Sequence, residues 1–438
     1  MKTRRIVSLV SLGCPKNLVD SEGLVGTLLS NDFRVVANPK ESDVVIVNTC
    51  GFLDASRKES LDAIRGAVAL KSATGVKRVL VAGCMVGNYR ELLEKEAPGV
   101  DALVGFGDYH RIDRIVEDLV GGHAAPEFGA ERRRVDAALT PRHYAYLKIS
   151  EGCDHTCAFC VIPSIRGAMR SFPTEDLVER ARTLAGRGVR ELNVVAQDST
   201  VYGSDLYGEL RLPQLLRRLD EVEGLDWIRL LYAYPTEVTD GLIDVLATGK
   251  RVLPWLDVPI QHAADNVLAR MKRGHGRTVL EKLVERLRRA HPRFAIRTTV
   301  IVGFPGETEA DFETLLQFLA WAKFDRLGAF RYSREQGSAA ADLDGQVPEE
   351  VKDERWHRLM ALQQRLAFDA ATARVGSTID VLVDAAKEGP RPARCRSWLD
   401  APEIDANVLV DDDTLKAGEK ATIRVTEARG YDLAGTRA

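Results

Sequence analysis

Six of the seven cysteines fall into two sets of three, and these residues carry the clearest chemistry in the sequence. Cys153, Cys157 and Cys160 form a compact C-x3-C-x2-C motif within EGCDHTCAFCVIP. Clustered cysteines in a chain without a secretion signal indicate a metal site rather than disulfides. Zinc normally takes four ligands, and the nearest candidate for a fourth, His155, is cramped between two cysteines. A four-iron cluster accepts three cysteines and leaves one iron open, so the motif favours a cluster.

The second set, Cys14, Cys50 and Cys84, is dispersed along the sequence. Each cysteine ends a short apolar segment typical of a buried strand, namely RRIVSLVSLG, SDVVIVNTC and KRVLVAGC. Helical patterns lie between these segments, which predicts a parallel α/β sheet. Ligands bind at the carboxyl ends of such strands. We therefore expect the three cysteines to share one metal site, the alternative being three separate core cysteines.

Six further strand-like segments follow from residue 144, separated by amphipathic helical patterns: YAYLKIS, ELNVVAQ, WIRLLYAYP, WLDVPIQ, IRTTVIVGFP and LGAFRYS. Six units are too few for a closed eight-stranded barrel, so we expect an open (β/α)6 barrel. Its lateral opening would suit a large substrate such as a protein or RNA. The C-x3-C-x2-C motif follows the first of these strands, at the end where such barrels place their active sites.

The length, net charge and apolar stretches of the chain limit its partners and its location. The chain has 438 residues and a formal net charge of -3, so its overall charge indicates neither a nucleic-acid nor a membrane partner. No apolar stretch is long enough to span a membrane, and we expect a cytoplasmic protein. Beyond a helical pattern in 349–375, the segments STIDVLVDA, ANVLV and KATIRVTEA predict a small antiparallel β-barrel of OB-like class.

These motifs resemble the radical S-adenosylmethionine (SAM) methylthiotransferase family. The resemblance rests on the C-x3-C-x2-C motif with Phe159 before its last cysteine, and on LGCPKNLVDSE, VNTCGF and AGCM around the other three cysteines. LGCPKN and RSWLDAPEID (396–405) are closest to the branch that modifies ribosomal protein S12, whereas the tRNA-modifying branch usually has GCQMN at the first position. The chain departs from the family at Phe172, where a basic residue is expected.

The resemblance implies two 4Fe-4S clusters and SAM as cofactors. The cysteines of the C-x3-C-x2-C motif would be catalytic, since their cluster binds and cleaves SAM to generate a radical. The cluster of Cys14, Cys50 and Cys84 would serve in sulfur delivery. SAM contacts are expected from residues of the motif and of the strand ends: Phe159, Gln197, Gln261, His262, Gly303 and Pro305.

The implied reaction is methylthiolation of the β-carbon of an aspartate in ribosomal protein S12. Partners would be S12, within the small ribosomal subunit, and a reductant such as flavodoxin or ferredoxin, with no membrane or DNA partner. The expected organisation is a methylthiotransferase N-terminal domain, a linker, a radical SAM domain, a connecting helix and a TRAM domain, at 1–122, 123–143, 144–348, 349–375 and 376–438.

The charge of the C-terminal segment distinguishes a protein substrate from a tRNA substrate. Residues 376–438 contain nine Lys or Arg and twelve Asp or Glu, a net charge of −3, which favours a basic protein over tRNA as partner. The candidate docking residues are Asp400, Glu403, Asp405, Asp411, Asp412 and Asp413. Two other functions stay open at this point: a tRNA adenosine methylthiotransferase, and a non-catalytic RNA-binding protein that carries a metal or cluster. The last cysteine, Cys395, is expected to be a bystander.

Overall fold

The structure, a computed structural model, describes residues 5–121 and 137–438. Most of the predicted linker, 123–143, lies outside the described residues. The chain divides into two compact units. The first contains Met1–Leu139, Gly152–Asp154 and Val161–Ala168, and the second contains Thr140–Glu151, His155–Cys160 and Met169–Ala438. The predicted division of the chain into five segments stays a prediction.

The first unit is built on a five-stranded parallel sheet with the strand order β2-β1-β3-β4-β5. Its strands are β1 (Ile6–Ser11), β2 (Arg34–Val36), β3 (Val44–Thr49), β4 (Arg78–Gly83) and β5 (Ala102–Val104). Its helices are α1 (Pro15–Ser30), α2 (Asp54–Ala73), α3 (Cys84–Asn88), α4 (Arg90–Glu96), α5 (Ile112–Leu119) and α6 (Ile162–Arg166). The predicted parallel α/β domain is confirmed.

The central strand β3 shows why this sheet forms. All six residues of its VVIVNT segment are buried, as expected for a parallel strand covered on both faces. Val44 and Ile46 pack with Leu24 and Leu28 of α1. The alternate residues Val45 and Val47 pack in a second core, with Leu61 and Ile64 of α2. The apolar run therefore sets both faces of the sheet and fixes where the strand ends, directly before Cys50.

The second unit contains a six-stranded, wholly parallel sheet with the order β13-β12-β11-β10-β9-β6. Its strands are β6 (Tyr144–Lys148), β9 (Glu191–Val195), β10 (Trp227–Leu230), β11 (Val252–Asp257), β12 (Ala295–Val302) and β13 (Arg326–Arg331). A short hairpin of β7 (Ser150–Glu151) and β8 (Arg170–Ser171) follows the first strand. Because β6 and β13 are edge strands, the barrel is open, and the predicted (β/α)6 architecture is confirmed.

Helices separate these strands and continue into a long connecting helix. They are α7 (Thr174–Gly186), α8 (Ser204–Tyr207), α9 (Leu212–Asp220), α10 (Asp240–Thr248), α11 (Asp265–Arg270), α12 (Arg277–Ala290), α13 (Glu309–Ala322) and α14 (Glu349–Thr372). Helix α14 packs against the edge strand β13, where the Trp356 indole donates a hydrogen bond to the Ala329 carbonyl over 2.9 Å. No helix among the described residues has the length and apolar character needed to cross a membrane.

The C-terminal segment forms a closed five-stranded barrel with the order β14-β15-β16-β18-β17. Its strands are β14 (Thr378–Ala385), β15 (Ala393–Ser397), β16 (Val408–Val410), β17 (Lys420–Arg429) and β18 (Asp432–Arg437). The predicted small antiparallel barrel is confirmed, and one of its strand pairs, β16 with β18, is parallel. Closing a barrel of five strands requires this, because an odd number of strands cannot alternate in direction all the way around.

The RSWLDAPEID segment lies against the amino-terminal ends of the large barrel's strands. Asp400 is 2% exposed and forms a salt bridge with Arg326 of β13. Asp405 pairs with Arg297 of β12 at 3.5 Å. The docking assignment of these two aspartates is therefore corrected, because their charges are neutralised inside the molecule. Glu403 is exposed and accepts a hydrogen bond from the Tyr144 hydroxyl at 2.7 Å.

Candidate functional site

The three dispersed cysteines meet at the carboxyl edge of the first unit's sheet. Cys14 follows β1, Cys50 follows β3 and Cys84 follows β4, and these three strands are adjacent. Burial raises the pKa of the Cys84 thiol to about 11, and the neighbouring Cys14 and Cys50 thiols raise it further against the opposing effect of Arg166. Thiols perturb one another in this way only at short range. The structure therefore places all three cysteines at one edge of the sheet, and the metal site that they would share stays a prediction.

Two glycines allow the three loops to approach so closely. Gly13 has a φ of +91°, and a Cβ placed on it would lie 2.7 Å from the Cys50 Cβ. Gly83 has a φ of +96°, and a Cβ there would lie 2.4 Å from the Thr49 carbonyl oxygen. Only glycine tolerates both the left-handed backbone and the contact. These residues therefore hold Cys14 against Cys50, and Cys84 against the end of β3.

Buried polar side chains connect the same loops. The Asn17 amide donates to the Leu12 carbonyl at 2.6 Å, and the Asn48 amide donates to the Asn17 carbonyl at 3.0 Å. The Thr49 hydroxyl donates to the Ala82 carbonyl at 2.6 Å. Bonds that cross between elements in a buried environment stabilise one loop arrangement over others. These bonds therefore fix the loops that carry the three cysteines.

A buried arginine, Arg166, completes this edge. Its guanidinium forms a 2.9 Å salt bridge with Asp20, and both side chains are nearly inaccessible to solvent. It donates to the Cys84 sulfur over 3.6 Å and lies above the Phe106 ring at 4.4 Å from its centroid. Sequence reasoning missed this residue, because an arginine six positions after Cys160 carries no signal until the fold places it beside a ligand.

The C-x3-C-x2-C loop is shared between the units: Cys153 belongs to the first, and Cys157 and Cys160 belong to the second. In the first unit the Cys153 amide donates to the Gly167 carbonyl at 3.1 Å. In the second, the Cys160 amide donates to the Cys157 carbonyl at 3.1 Å, and the Ala158 amide donates to the Met271 carbonyl at 3.0 Å. Each part of the loop is therefore fixed within its own unit.

Side-chain stacking supports the middle of this loop. His155 stacks on Tyr234 with ring centroids 3.9 Å apart, and its Nε2 lies 2.6 Å from an Asp198 carboxylate oxygen. The Arg273 guanidinium lies over the same tyrosine ring at 4.1 Å. Its Nη1 donates to the Cys157 sulfur over 3.3 Å. Since His155 is engaged by Asp198 and Tyr234, it does not act as the fourth zinc ligand considered above.

Two predicted SAM residues present polar atoms that the protein itself does not satisfy. Gln197 donates to Glu151 at 3.2 Å, while its buried Oε1 has no hydrogen-bond partner. The buried Oε1 of Gln261 is likewise unpartnered, and Gln261 has a φ of 69°. Phe159, the third of these predicted residues, packs in a small apolar cluster that includes Phe304 and Tyr332. Unsatisfied buried groups and strained backbone are typical of ligand sites.

The other three predicted SAM residues, His262, Gly303 and Pro305, lie in the backbone framework of the barrel mouth. His262 is fully buried, and burial lowers its pKa to about 3, so the imidazole is neutral. The Gly303 amide donates to Glu307 at 2.7 Å, and the Pro305 carbonyl accepts from Arg270 at 2.9 Å. These contacts fix the GFPGE turn. They give Gly303 and Pro305 structural partners, whereas the buried His262 Nε2 has no hydrogen-bond partner among the described residues, like the two glutamine oxygens.

The cysteine arrangement suits clusters better than single ions. Within residues 5–121 and 137–438, no three Cys, His, Asp or Glu side chains lie close enough to share one metal ion. In a four-iron cluster each cysteine binds a different iron, so the sulfurs stand further apart than around zinc. Burial raises the pKa of both the Cys50 and the Cys84 thiols. These thiols are therefore protonated without metal, and iron replaces their protons.

Comparisons with known proteins match three separate regions of the chain. A radical SAM superfamily model matches residues 147–319, the model of Uncharacterized protein family UPF0004 matches 6–105, and a TRAM domain model matches 375–437. A protein of Moorella thermoacetica named ribosomal protein uS12 methylthiotransferase RimO is 46% identical, with 98% of each chain covered. A protein of the same name from an Anaeromyxobacter species is 45% identical, over 99% of this chain and 93% of its own.

The chain belongs to the ribosomal protein uS12 methylthiotransferase family. It is therefore a radical SAM methylthiotransferase, with two 4Fe-4S clusters and SAM as cofactors. Among solved structures, the radical SAM methyltransferase TsrM of Kitasatospora setae is similar at a TM-score of 0.57 and 15% identity, covering 83% of this chain and 89% of its own. At that identity the likeness concerns the fold alone.

Iron content tests the two cysteine sets of this methylthiotransferase. Reconstituted protein should bind about eight irons, and alanine at all three cysteines of either set should leave about four, because each set holds its own cluster. Iron and acid-labile sulfide assays on anaerobically reconstituted protein provide the measurement. Iron content unchanged by the loss of Cys14, Cys50 and Cys84 would rule out a cluster at the first sheet.

Proposed function

We propose that the chain adds a methylthio group to the β-carbon of an aspartate in ribosomal protein uS12. The observation that carries the proposal is the second cysteine triplet. Cys14, Cys50 and Cys84 converge at a sheet edge of their own, apart in sequence from the radical SAM motif. A radical SAM enzyme that only abstracts hydrogen needs one cluster, whereas sulfur transfer needs a second site that delivers the sulfur.

The chain's own residues divide the work as follows. Cys153, Cys157 and Cys160 hold the cluster at which SAM binds, and this cofactor supplies the radical chemistry that side chains cannot. Phe159, Gln197 and Gln261 orient SAM through one apolar contact and two amides with unpartnered buried oxygens. His262, Gly303 and Pro305 position the GFPGE turn at the barrel mouth. Cys14, Cys50 and Cys84 hold the auxiliary cluster for sulfur delivery.

The proposal extends to the setting of the reaction. The substrate is uS12 within the small ribosomal subunit, in the cytoplasm, and the electron comes from a small reductant such as flavodoxin or ferredoxin. The open side of the six-stranded barrel, between the edge strands β6 and β13, admits a protein loop. A substrate presented by the ribosome must enter in this manner, because its target side chain is attached to a large, rigid assembly.

Mass spectrometry of uS12 tests this function. Purified uS12 or small subunits incubated with reconstituted enzyme, SAM, sulfide and dithionite should gain one methylthio group on an aspartate, seen in tandem spectra of its peptides. The Cys50→Ala protein is the matched control and should give no modified peptide. Modification of tRNA adenosine in place of uS12 under the same conditions would favour the tRNA function instead.

We retain the exposed acidic turn as a docking site for basic protein surfaces. Asp411 and Asp413 are 82% exposed and both contact Lys387, and Asp412 accepts from the Thr414 amide at 2.7 Å. Reversing all three aspartates to lysine should slow association with uS12, most at low salt, because exposed charges act mainly on encounter.

The measurement is the association rate at two salt concentrations, for wild type and the triple-lysine variant. A Glu427→Lys, Asp432→Lys variant of the same C-terminal barrel is the control for a change of overall charge. SAM cleavage should be unaffected in every variant. Equal rates for wild type and the triple-lysine variant at both salts would mean that Asp411, Asp412 and Asp413 form only a solvated turn.

A further inference from the structure

Each cysteine triplet has one buried arginine that donates to one of its sulfurs. Arg166 lies 3.6 Å from the Cys84 sulfur, and Arg273 lies 3.3 Å from the Cys157 sulfur. Both arginines are almost fully buried, Arg166 at 8% exposure and Arg273 at 4%. Buried cations are costly unless they interact strongly with a partner. In each case the fold places that cation against a cluster ligand.

We propose that Arg166 and Arg273 set the reduction potentials of the two clusters separately. The inference rests on the proposed pair of clusters and deepens it. Hydrogen bonds to ligand sulfurs and nearby charge are among the main determinants of an iron–sulfur potential. Reduction adds one negative charge to a cluster, so an adjacent guanidinium favours the reduced form and raises the potential. In a buried site this interaction is only weakly screened.

The two arginines differ in how far their charge is already compensated. Arg166 forms its 2.9 Å salt bridge with Asp20. Arg273 forms no salt bridge with any carboxylate in the described part of the chain; it donates to the Pro259 carbonyl at 3.1 Å and lies over Tyr234. Arg273 therefore acts with its full charge, and its effect on the potential should be the larger of the two. The cluster that must deliver an electron to SAM is the one with the uncompensated cation.

The test is an EPR-monitored titration of full-length protein with dithionite. Each cluster is observed alone, in chains whose other triplet is replaced by alanine. Arg273→Gln should shift the cluster of Cys153, Cys157 and Cys160 to a more negative midpoint potential, while Arg273→Lys keeps most of the wild-type value. The same substitutions should leave the auxiliary cluster unchanged. No uS12 turnover is required, so the result is independent of the substrate.

The auxiliary cluster has a matched set of variants. Arg166→Gln alone removes the cation of the buried salt bridge to Asp20, which threatens folding. The double variant Asp20→Asn, Arg166→Gln removes both charges and should give a smaller negative shift. Asp20→Asn alone should shift the potential in the opposite direction, because the guanidinium loses its counter-ion. A midpoint potential does not depend on occupancy, so partly loaded variants still report it.

Two results would overturn the inference. One is an unchanged potential in both Arg273→Gln and the Asp20→Asn, Arg166→Gln protein. The other is an equal shift of both clusters on substitution of a single arginine, which would indicate a general loosening of the protein rather than a local charge effect. A shift confined to the cluster whose sulfur the arginine contacts, with lysine rescuing glutamine at position 273, supports it.

Discussion

Replacing Cys157 by alanine should abolish reductive cleavage of SAM, whereas replacing Cys50 should leave cleavage intact and stop only methylthiolation. The reason is that the two triplets hold separate clusters. Cys157 belongs to the motif whose cluster binds SAM, and without it no complete cluster forms there. Cys50 directly follows β3 in the other unit, and we expect it to contribute only to the auxiliary site.

Chromatography of 5′-deoxyadenosine formed with dithionite measures the first activity, and mass spectrometry of uS12 measures the second. We expect at least a hundredfold loss of cleavage for Cys157→Ala and near wild-type cleavage for Cys50→Ala, with no methylthiolated peptide from either. Cys395→Ala is the matched control, since Cys395 is a fully buried cysteine outside both triplets. It should retain both activities.

Folding must be separated from chemistry in this comparison. Circular dichroism and iron content show whether each variant is folded and carries its remaining cluster. A folded Cys50→Ala protein that binds about four irons yet fails to cleave SAM would contradict the division of labour. It would mean that the auxiliary cluster is required for SAM chemistry itself.

Much of this organisation could be predicted from the sequence, for physical reasons that differ between elements. Long apolar runs such as VVIVNT predicted their strands because burial on both faces requires such runs. The short strands β2, β5, β15 and β18 were missed, since three to six residues of mixed character give no periodic signal. The convergence of Cys14, Cys50 and Cys84 followed from strand-end geometry alone.

Charge was the least predictable property. Counting residues 376–438 gave a net charge of −3, but Asp384, Asp400, Asp405 and Arg396 are paired inside the molecule. Eight basic and nine acidic residues remain toward solvent, so the acidic excess of this surface nearly vanishes. Only tertiary structure decides which charges meet. The same limit explains why the sequence did not predict a role for Arg166 or Arg273. Each arginine contacts a cysteine that is distant in sequence.

Replacing Arg396 by methionine should destabilise the protein by about 3–5 kcal/mol, because it removes a buried cation that two carboxylates share. Arg396 is 2% exposed and lies 2.6 Å from Glu191, which is itself fully buried at the start of β9. Its other nitrogens contact Asp384 at 3.1 and 3.2 Å. Arg229 of β10 binds the second oxygen of Glu191 at 2.8 Å.

This network links the C-terminal barrel to the large one, so the loss should appear as a lower thermal midpoint and faster proteolysis of the C-terminal segment. Arg394→Met is the matched control, because Arg394 lies two residues away on β15 and is exposed. It should change the midpoint little. The Glu191→Gln, Arg396→Met protein should lose less than the sum of the two single losses, because both changes remove the same salt bridge, whereas independent sites would show additive losses. Equal midpoints for Arg394→Met and Arg396→Met would mean that the ion pairs of Arg396 do not contribute measurably to stability.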